Sequence, residues 1–93
     1  MTVLSNDEVD RALEERAPQW TRDADEIRRS VEAASFLDGI ALVQRVAEAA
    51  ERAQHHPDID IRWTTVTFAL STHSEGGITA ADIDMAEEID KLA

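Results

Sequence analysis

Ninety-three residues, 43% hydrophobic and 31% charged, with three Gly and two Pro, point to one folded domain over 1–93 rather than a disordered or fibrous chain. Nine Lys and Arg against twenty Asp and Glu leave a formal charge of −11, which disfavours nucleic acid and anionic membrane surfaces as direct partners. The lack of Cys removes disulfide frameworks, thiolate metal sites and cysteine nucleophiles together.

Ser5 and Glu8 open the first element. Their spacing is that of a capping box, in which the hydroxyl accepts from a backbone N–H three residues on and the acid there reaches back. Val9, Ala12 and Leu13 share a face of the short helix that follows, and Pro18 ends it. The stretch from Trp20 to Ala34 carries two signals: Ile27, Arg29 and Val31 alternate as in a strand, while the Glu, Arg and Ala around them favour helix. We read it as two short strands, around 19–22 and 26–33, joined by the acidic turn Asp23-Ala24-Asp25, with Trp20 in the core. Ser35 and Asp38 repeat the capping pattern ahead of a helix predicted over 36–53, whose apolar stripe runs through Phe36, Ile40, Val43, Ala47 and Ala50. Pro57 disfavours helical geometry just before it, so the chain turns at His56-Pro57-Asp58.

From Ile61 the pattern is strict alternation, Val66, Phe68 and Leu70 on one face and Trp63, Thr65, Thr67 and Ala69 on the other. It predicts one strand over 60–72. Gly76-Gly77 makes a turn, and Ile78 to Lys91 holds a last helix, with the Thr79–Asp82 capping pattern at its start and Ile83, Ala86 and Ile89, with Met85 beside them, on its apolar face. A long strand needs hydrogen-bonding partners, and the class that follows is α+β, an antiparallel sheet with helices on one face. A chain this short hides only roughly 60–65% of its unfolded surface, so self-association is expected to help it. No segment approaches the ~20 apolar residues of a membrane span and the first eight residues lack a targeting pattern; the expected compartment is the cytoplasm.

Three histidines occur, in two places: His55-His56 after the long helix and His73 at the end of the long strand. Imidazole titrates near neutral pH, so histidines at element ends suit proton transfer in either direction. The alternative is plain surface loop residues. Adjacent side chains such as His55 and His56 diverge, and the i, i+4 pair of a helical zinc site is missing, so metal catalysis is not expected. Ser71, His73, Ser74 and Glu75 lie too close in sequence to converge as a hydrolase triad, and no GxSxG elbow is present.

The set formed by Glu51 one helical turn ahead of His55-His56-Pro57, Trp63 six residues past the Pro, His73 ten further on and Asp82 nine beyond that resembles the pterin-4a-carbinolamine dehydratase family. The likeness covers most of the chain, from about Trp20 to Ile89. It implies a four-stranded antiparallel sheet with three helices packed on one face, in a homodimer or homotetramer. It implies a hydro-lyase, one that dehydrates 4a-hydroxy-tetrahydropterin to quinonoid dihydropterin after an aromatic amino acid hydroxylase has used its pterin. The pterin is then the substrate, and no metal or organic cofactor is implied. By position, His55 and His73 match the acid/base pair, His56 a residue that binds and orients the pterin, Glu51 and Asp82 the carboxylates lining or supporting the site, and Trp63 its aromatic. Two departures stand out: Gln54 replaces an Asp found in some members, and Trp63 a Tyr found in many.

Asp82 is also fully explained as the acid of the Thr79 capping box, and one carboxylate is not expected to serve both tasks. Glu51 has a structural explanation as a solvated helix residue paired with its neighbours, and Trp63 as core or interface packing from within a strand. Relatives of this family also work as non-catalytic dimerisation or assembly factors, and an acidic interaction module is the remaining alternative. Such proteins have no use for the histidines, so the presence of all three favours the enzyme.

Overall fold

The computed structural model describes residues 2–93. Three helices, α1 (Asn6–Arg16), α2 (Phe36–Ala53) and α3 (Ala80–Leu92), combine with four strands, β1 (Thr21–Asp23), β2 (Glu26–Glu32), β3 (Asp58–Arg62) and β4 (Thr65–Leu70), and with one 3-10 turn, His73–Glu75. The strands form an antiparallel sheet in the order β1-β2-β4-β3. The fold class, the three helices, and the pair of short strands joined at Ala24 therefore agree with the expectation. Among the described residues no helix is long and apolar enough to cross a membrane.

Each helix start is built as its sequence suggested, with one difference. Ser5 and Glu8 close a full capping box, as do Thr79 and Asp82. At Ser35 only half is made: the hydroxyl accepts from Asp38 N–H at 3.1 Å. The core side of the sheet carries Ile27 of β2 and Val66, Phe68 and Leu70 of β4, all buried against Val9 and Leu13 of α1, Leu42, Val46 and Ala49 of α2, and Ile83, Ala86 and Ile89 of α3. Gly39 lets α2 approach β4, because a Cβ there would stand 3.3 Å from Val66 Cγ2. Trp20 is in the core as predicted, its indole N–H donating to Asp90 Oδ1 at 2.8 Å, and Arg29, on the core side of β2, reaches the same oxygen.

The single strand predicted over 60–72 is instead a hairpin. Arg62 pairs directly with Thr65, leaving Trp63 and Thr64 as a two-residue loop. Trp63 has φ 50, a left-handed backbone conformation that hairpin loops usually give to Gly or Asn. Neighbouring strands supply what the local sequence lacks: Thr64 Oγ1 and Thr65 Oγ1 donate to the two oxygens of Glu32 at 2.7 and 2.5 Å, and Thr64 O accepts from Ala33 N–H at 2.8 Å. The alternation read from the sequence holds for β4 and fails at Trp63, which sits on the loop with its side chain in solvent.

Those hydroxyls hold the Glu32 carboxyl below its ordinary range. The hydrogen bond from Arg22 does the same for Asp10, the one from Arg16 for Glu87, and the backbone of Ser5 for Glu8. Carboxyls depressed in the folded chain contribute stability above their unfolded titration, near pH 4, and lose it as pH falls through the folded values. The urea midpoint is therefore expected to drop between about pH 5 and pH 3. Glu32→Gln should make that drop shallower; an identical slope in the variant would remove Glu32 from the account.

Candidate active site

The end of α2 aims the histidine pair. Gln54 adopts the left-handed conformation (φ 53, ψ 40), its N–H donates back to the carbonyls of Ala50 and Glu51, and His55 N–H donates to Ala50 O at 3.1 Å. This is a Schellman closure, usually built on Gly or Asn. Gln54 meets it with a side-chain amide that donates to Glu51 O at 2.7 Å, so here the residue works on its own backbone. After the reversal the two imidazoles diverge, as adjacent residues were expected to.

His55 turns inward. Its Nε2 lies 2.5 Å from Asp82 Oδ1; the imidazole keeps 17% of its surface exposed and the carboxylate none. A buried carboxylate has to be matched by donors. The other oxygen, Oδ2, accepts from Thr79 N–H at 2.9 Å and from Thr72 Oγ1 at 2.8 Å. The carboxylate thus has two hydrogen-bonding tasks at once: one oxygen completes the capping box and the other holds the histidine. The carboxylate can divide its work because the first turn of α3 lies between the end of β4 and the end of α2.

His56 turns outward to Glu51, with its Nε2 hydrogen-bonded to Oε2 and both side chains more than half exposed. Glu51, largely exposed and paired with His56, fits its reading as a solvated helix residue paired with a neighbour. His73 follows Thr72 directly, at the start of the 3-10 turn, and faces solvent over a shallow depression shared with Asp23, Asp25, Arg28 and Ser71. The Ser71 hydroxyl is engaged, donating to Asp25 O at 2.7 Å.

The structure brings some of the predicted residues together and leaves others apart. His55, Asp82 and the segment Thr72-His73 form one connected unit. His55 also lines a cleft of about 420 Å³ between α2 and α3, with Ala49, Arg52, Ala81 and Met85. His73 does not line that cleft, nor do His56, Glu51 and Trp63. Trp63, 80% exposed at the hairpin tip, packs neither in the core nor within a strand. Among the described residues no three or more His, Cys, Asp or Glu side chains are grouped so as to hold a metal ion.

Thr72 was missed by reasoning from sequence. The signal was present: Thr72 continues the inward series Val66, Phe68, Leu70, and it is the polar residue on that buried face. A hydroxyl at a core position requires a partner, and Asp82 is that partner.

Residues 2–92 match the family described as Pterin 4 alpha carbinolamine dehydratase. A protein of Nocardia farcinica is 64% identical over 98% of this chain and 95% of its own length, and one of Mycolicibacterium smegmatis is 62% identical over 99% and 97%; both carry the name "Putative pterin-4-alpha-carbinolamine dehydratase". Among solved structures, a transcriptional coactivator/pterin dehydratase from Brucella melitensis superposes with a TM-score of 0.92 at 30% identity, covering 99% of each chain. A pterin dehydratase-like protein identified as a RuBisCO assembly factor of the alpha-carboxysome superposes with a TM-score of 0.66 over 80% of this chain and 86% of its own, and at 20% identity that likeness concerns the fold alone.

Proposed function

The chain belongs to the pterin 4 alpha carbinolamine dehydratase family, and from that membership we propose that it dehydrates 4a-hydroxy-tetrahydropterin to quinonoid dihydropterin by histidine acid/base catalysis. The observation that carries the reading is the His55–Asp82 pair, built into the cap of α3 one residue away from His73 through Thr72. In the reaction the C4a–O bond breaks, the departing hydroxyl takes a proton and leaves as water, and a ring nitrogen gives up a proton. One group must donate and another accept near neutral pH, a requirement that two imidazoles meet. We assign these steps to His55 and His73. His56, braced by Glu51, binds and orients the pterin, and Trp63 offers an aromatic wall for its ring.

The residues carry all the chemistry in this scheme, with the pterin as substrate and no further cofactor. Exposed Phe36, Leu37 and Ile40 at the start of α2 support a homodimer or homotetramer as the working form, in a cytoplasm that also holds the hydroxylase supplying the substrate. A non-catalytic assembly role is the second reading, suggested by what the RuBisCO assembly factor does on the same fold. The intact histidine set weighs for catalysis.

The deciding experiment follows quinonoid dihydropterin formation from freshly generated 4a-hydroxy-tetrahydropterin, with and without protein. Acceleration over buffer supports the dehydratase. No acceleration by the folded chain sinks it and leaves the assembly role. Trp63→Ala tests the aromatic wall: an exposed loop side chain contributes little to folding, so stability should stay within about 0.5 kcal/mol while KM rises. An unchanged KM would release Trp63 from the site.

A further inference from the structure

His73 stands in a loop whose base is closed by backbone bonds. Thr72 and Gly77 form an isolated antiparallel bridge, Thr72 N–H donating to Gly77 O at 2.9 Å and Gly77 N–H to Thr72 O at 3.4 Å, while the four residues between them are exposed. Gly77 itself is buried. Of the two glycines only Gly76 takes a left-handed φ, 73, so the backbone at 77 does not itself require glycine. What excludes a side chain there is Val3. A Cβ on Gly77 would stand 2.7 Å from Val3 Cγ1, where carbons in contact rest at ~3.5–4.0 Å. The next residue repeats the attachment, Leu4 N–H donating to Ile78 O at 2.8 Å while its side chain packs against the core. Residues 3 and 4, ahead of α1, thus lie across the base of the His73 loop.

A loop closed by two backbone bonds opens locally unless apolar surface covers them. Gly77 brings no side chain to the bridge, and the Val3 methyls occupy the place where one would be. We propose that residues 3 and 4 are a strap, with Val3 as its latch, that opens and closes as one unit with the Thr72–Gly77 bridge, and that His73 serves the reaction from the strapped loop. The second half rests on the dehydratase reading; the strap itself does not. With the base of the loop held, the imidazole can move only by turning about its own side-chain bonds, which keeps it oriented for a bound substrate.

Amide hydrogen exchange on the full chain reads the strap without any substrate. Leu4 N–H and Thr72 N–H should show equal protection, and Val3→Ala should lower both about fivefold while the amides of β4 keep wild-type protection. A Thr72 N–H unmoved by Val3→Ala overturns the strap, and so does a Leu4 N–H that responds alone. A cross-link reads the loop. Val3 Cβ would lie 3.8 Å from a Cβ at position 77, the separation at which disulfides form, and the chain has no Cys of its own. Val3→Cys/Gly77→Cys should therefore oxidise to an intrachain disulfide, and with the strap so fixed kcat and KM for dehydration should stay within about twofold of wild type. Thiols that fail to pair would place residue 3 away from Gly77 and overturn the latch. An oxidised protein slowed beyond that range and restored by reduction would show that the loop has to open during turnover, which overturns the assignment of His73 to the strapped form. Wild-type protein with the expected exchange and no dehydratase activity would sink the enzyme reading alone, leaving the strap standing.

Discussion

His73→Ala is expected to lower the protein-dependent rate of quinonoid dihydropterin formation on the order of 10²-fold, while the urea midpoint stays at the wild-type value. The magnitude is what one positioned acid or base typically contributes, and the reaction it assists already runs slowly in water. The absence of a stability effect follows from the site: His73 is exposed at the start of a 3-10 turn, and the turn is held by backbone bonds, Thr72 O accepting from Glu75 N–H at 3.0 Å and Gly76 N–H at 3.0 Å. His55→Ala should cost a similar factor in rate, but with a loss of stability of roughly 1–3 kcal/mol, because it leaves Asp82 Oδ1 buried without its donor. The two variants should therefore look alike in kinetics and differ in denaturation. A His73→Ala protein that keeps wild-type kcat would remove that residue from the chemistry and leave His55 as the sole proton carrier.

How the sequence read depends on where each element takes its instructions. The helices were legible to within a residue or two because their starts are written locally, as Ser5–Glu8, Ser35–Asp38 and Thr79–Asp82, and their cores follow helical spacing. The β3–β4 hairpin was not. Its loop is Trp63-Thr64, without the Gly or Asn that marks such a turn, and what stabilises it comes from Glu32 and Ala33, some thirty residues earlier in the chain. Alternation continues through the turn in sequence, so a period of two cannot distinguish one long strand from two short ones.

The same division applies to the site. That His55 and His56 would diverge follows from their adjacency, and that an acid would stand near them was implied by the family likeness. Which acid takes which histidine depends on α2 and α3 packing together, a tertiary fact. The dual use of Asp82 was invisible for a related reason: the capping box is complete within four residues and gives no hint that the second oxygen has a long-range partner. Thr72 shows the opposite case, a polar side chain on a buried strand face whose need for a partner is written in the pattern itself.

Asp82 is the residue at which fold and chemistry are hardest to separate, and two substitutions separate them. Asp82→Ala removes three acceptor contacts at once, leaving Thr79 N–H, the Thr72 hydroxyl and His55 Nε2–H without their partner in a buried site. A destabilisation of about 3 kcal/mol is expected, the scale of unsatisfied buried donors together with a lost reciprocal cap, and activity falls with it. Asp82→Asn keeps the shape and places its groups in a forced order. Thr79 N–H can only donate, so the amide oxygen must take the Oδ2 position, where it preserves the cap and the bond from Thr72. The amide nitrogen then faces His55 with protons of its own, and the imidazole has to present an acceptor at Nε2 and carry its proton on Nδ1 instead. Stability should change by only about 1 kcal/mol while kcat falls on the order of 10²-fold, because the imidazole now carries its proton on the opposite ring nitrogen from the one a carboxylate partner selects. Urea denaturation and dehydration kinetics on the same two proteins read both effects. Wild-type kcat in the Asn variant would mean that the carboxylate serves α3 alone, and that His55 owes it only a place to rest.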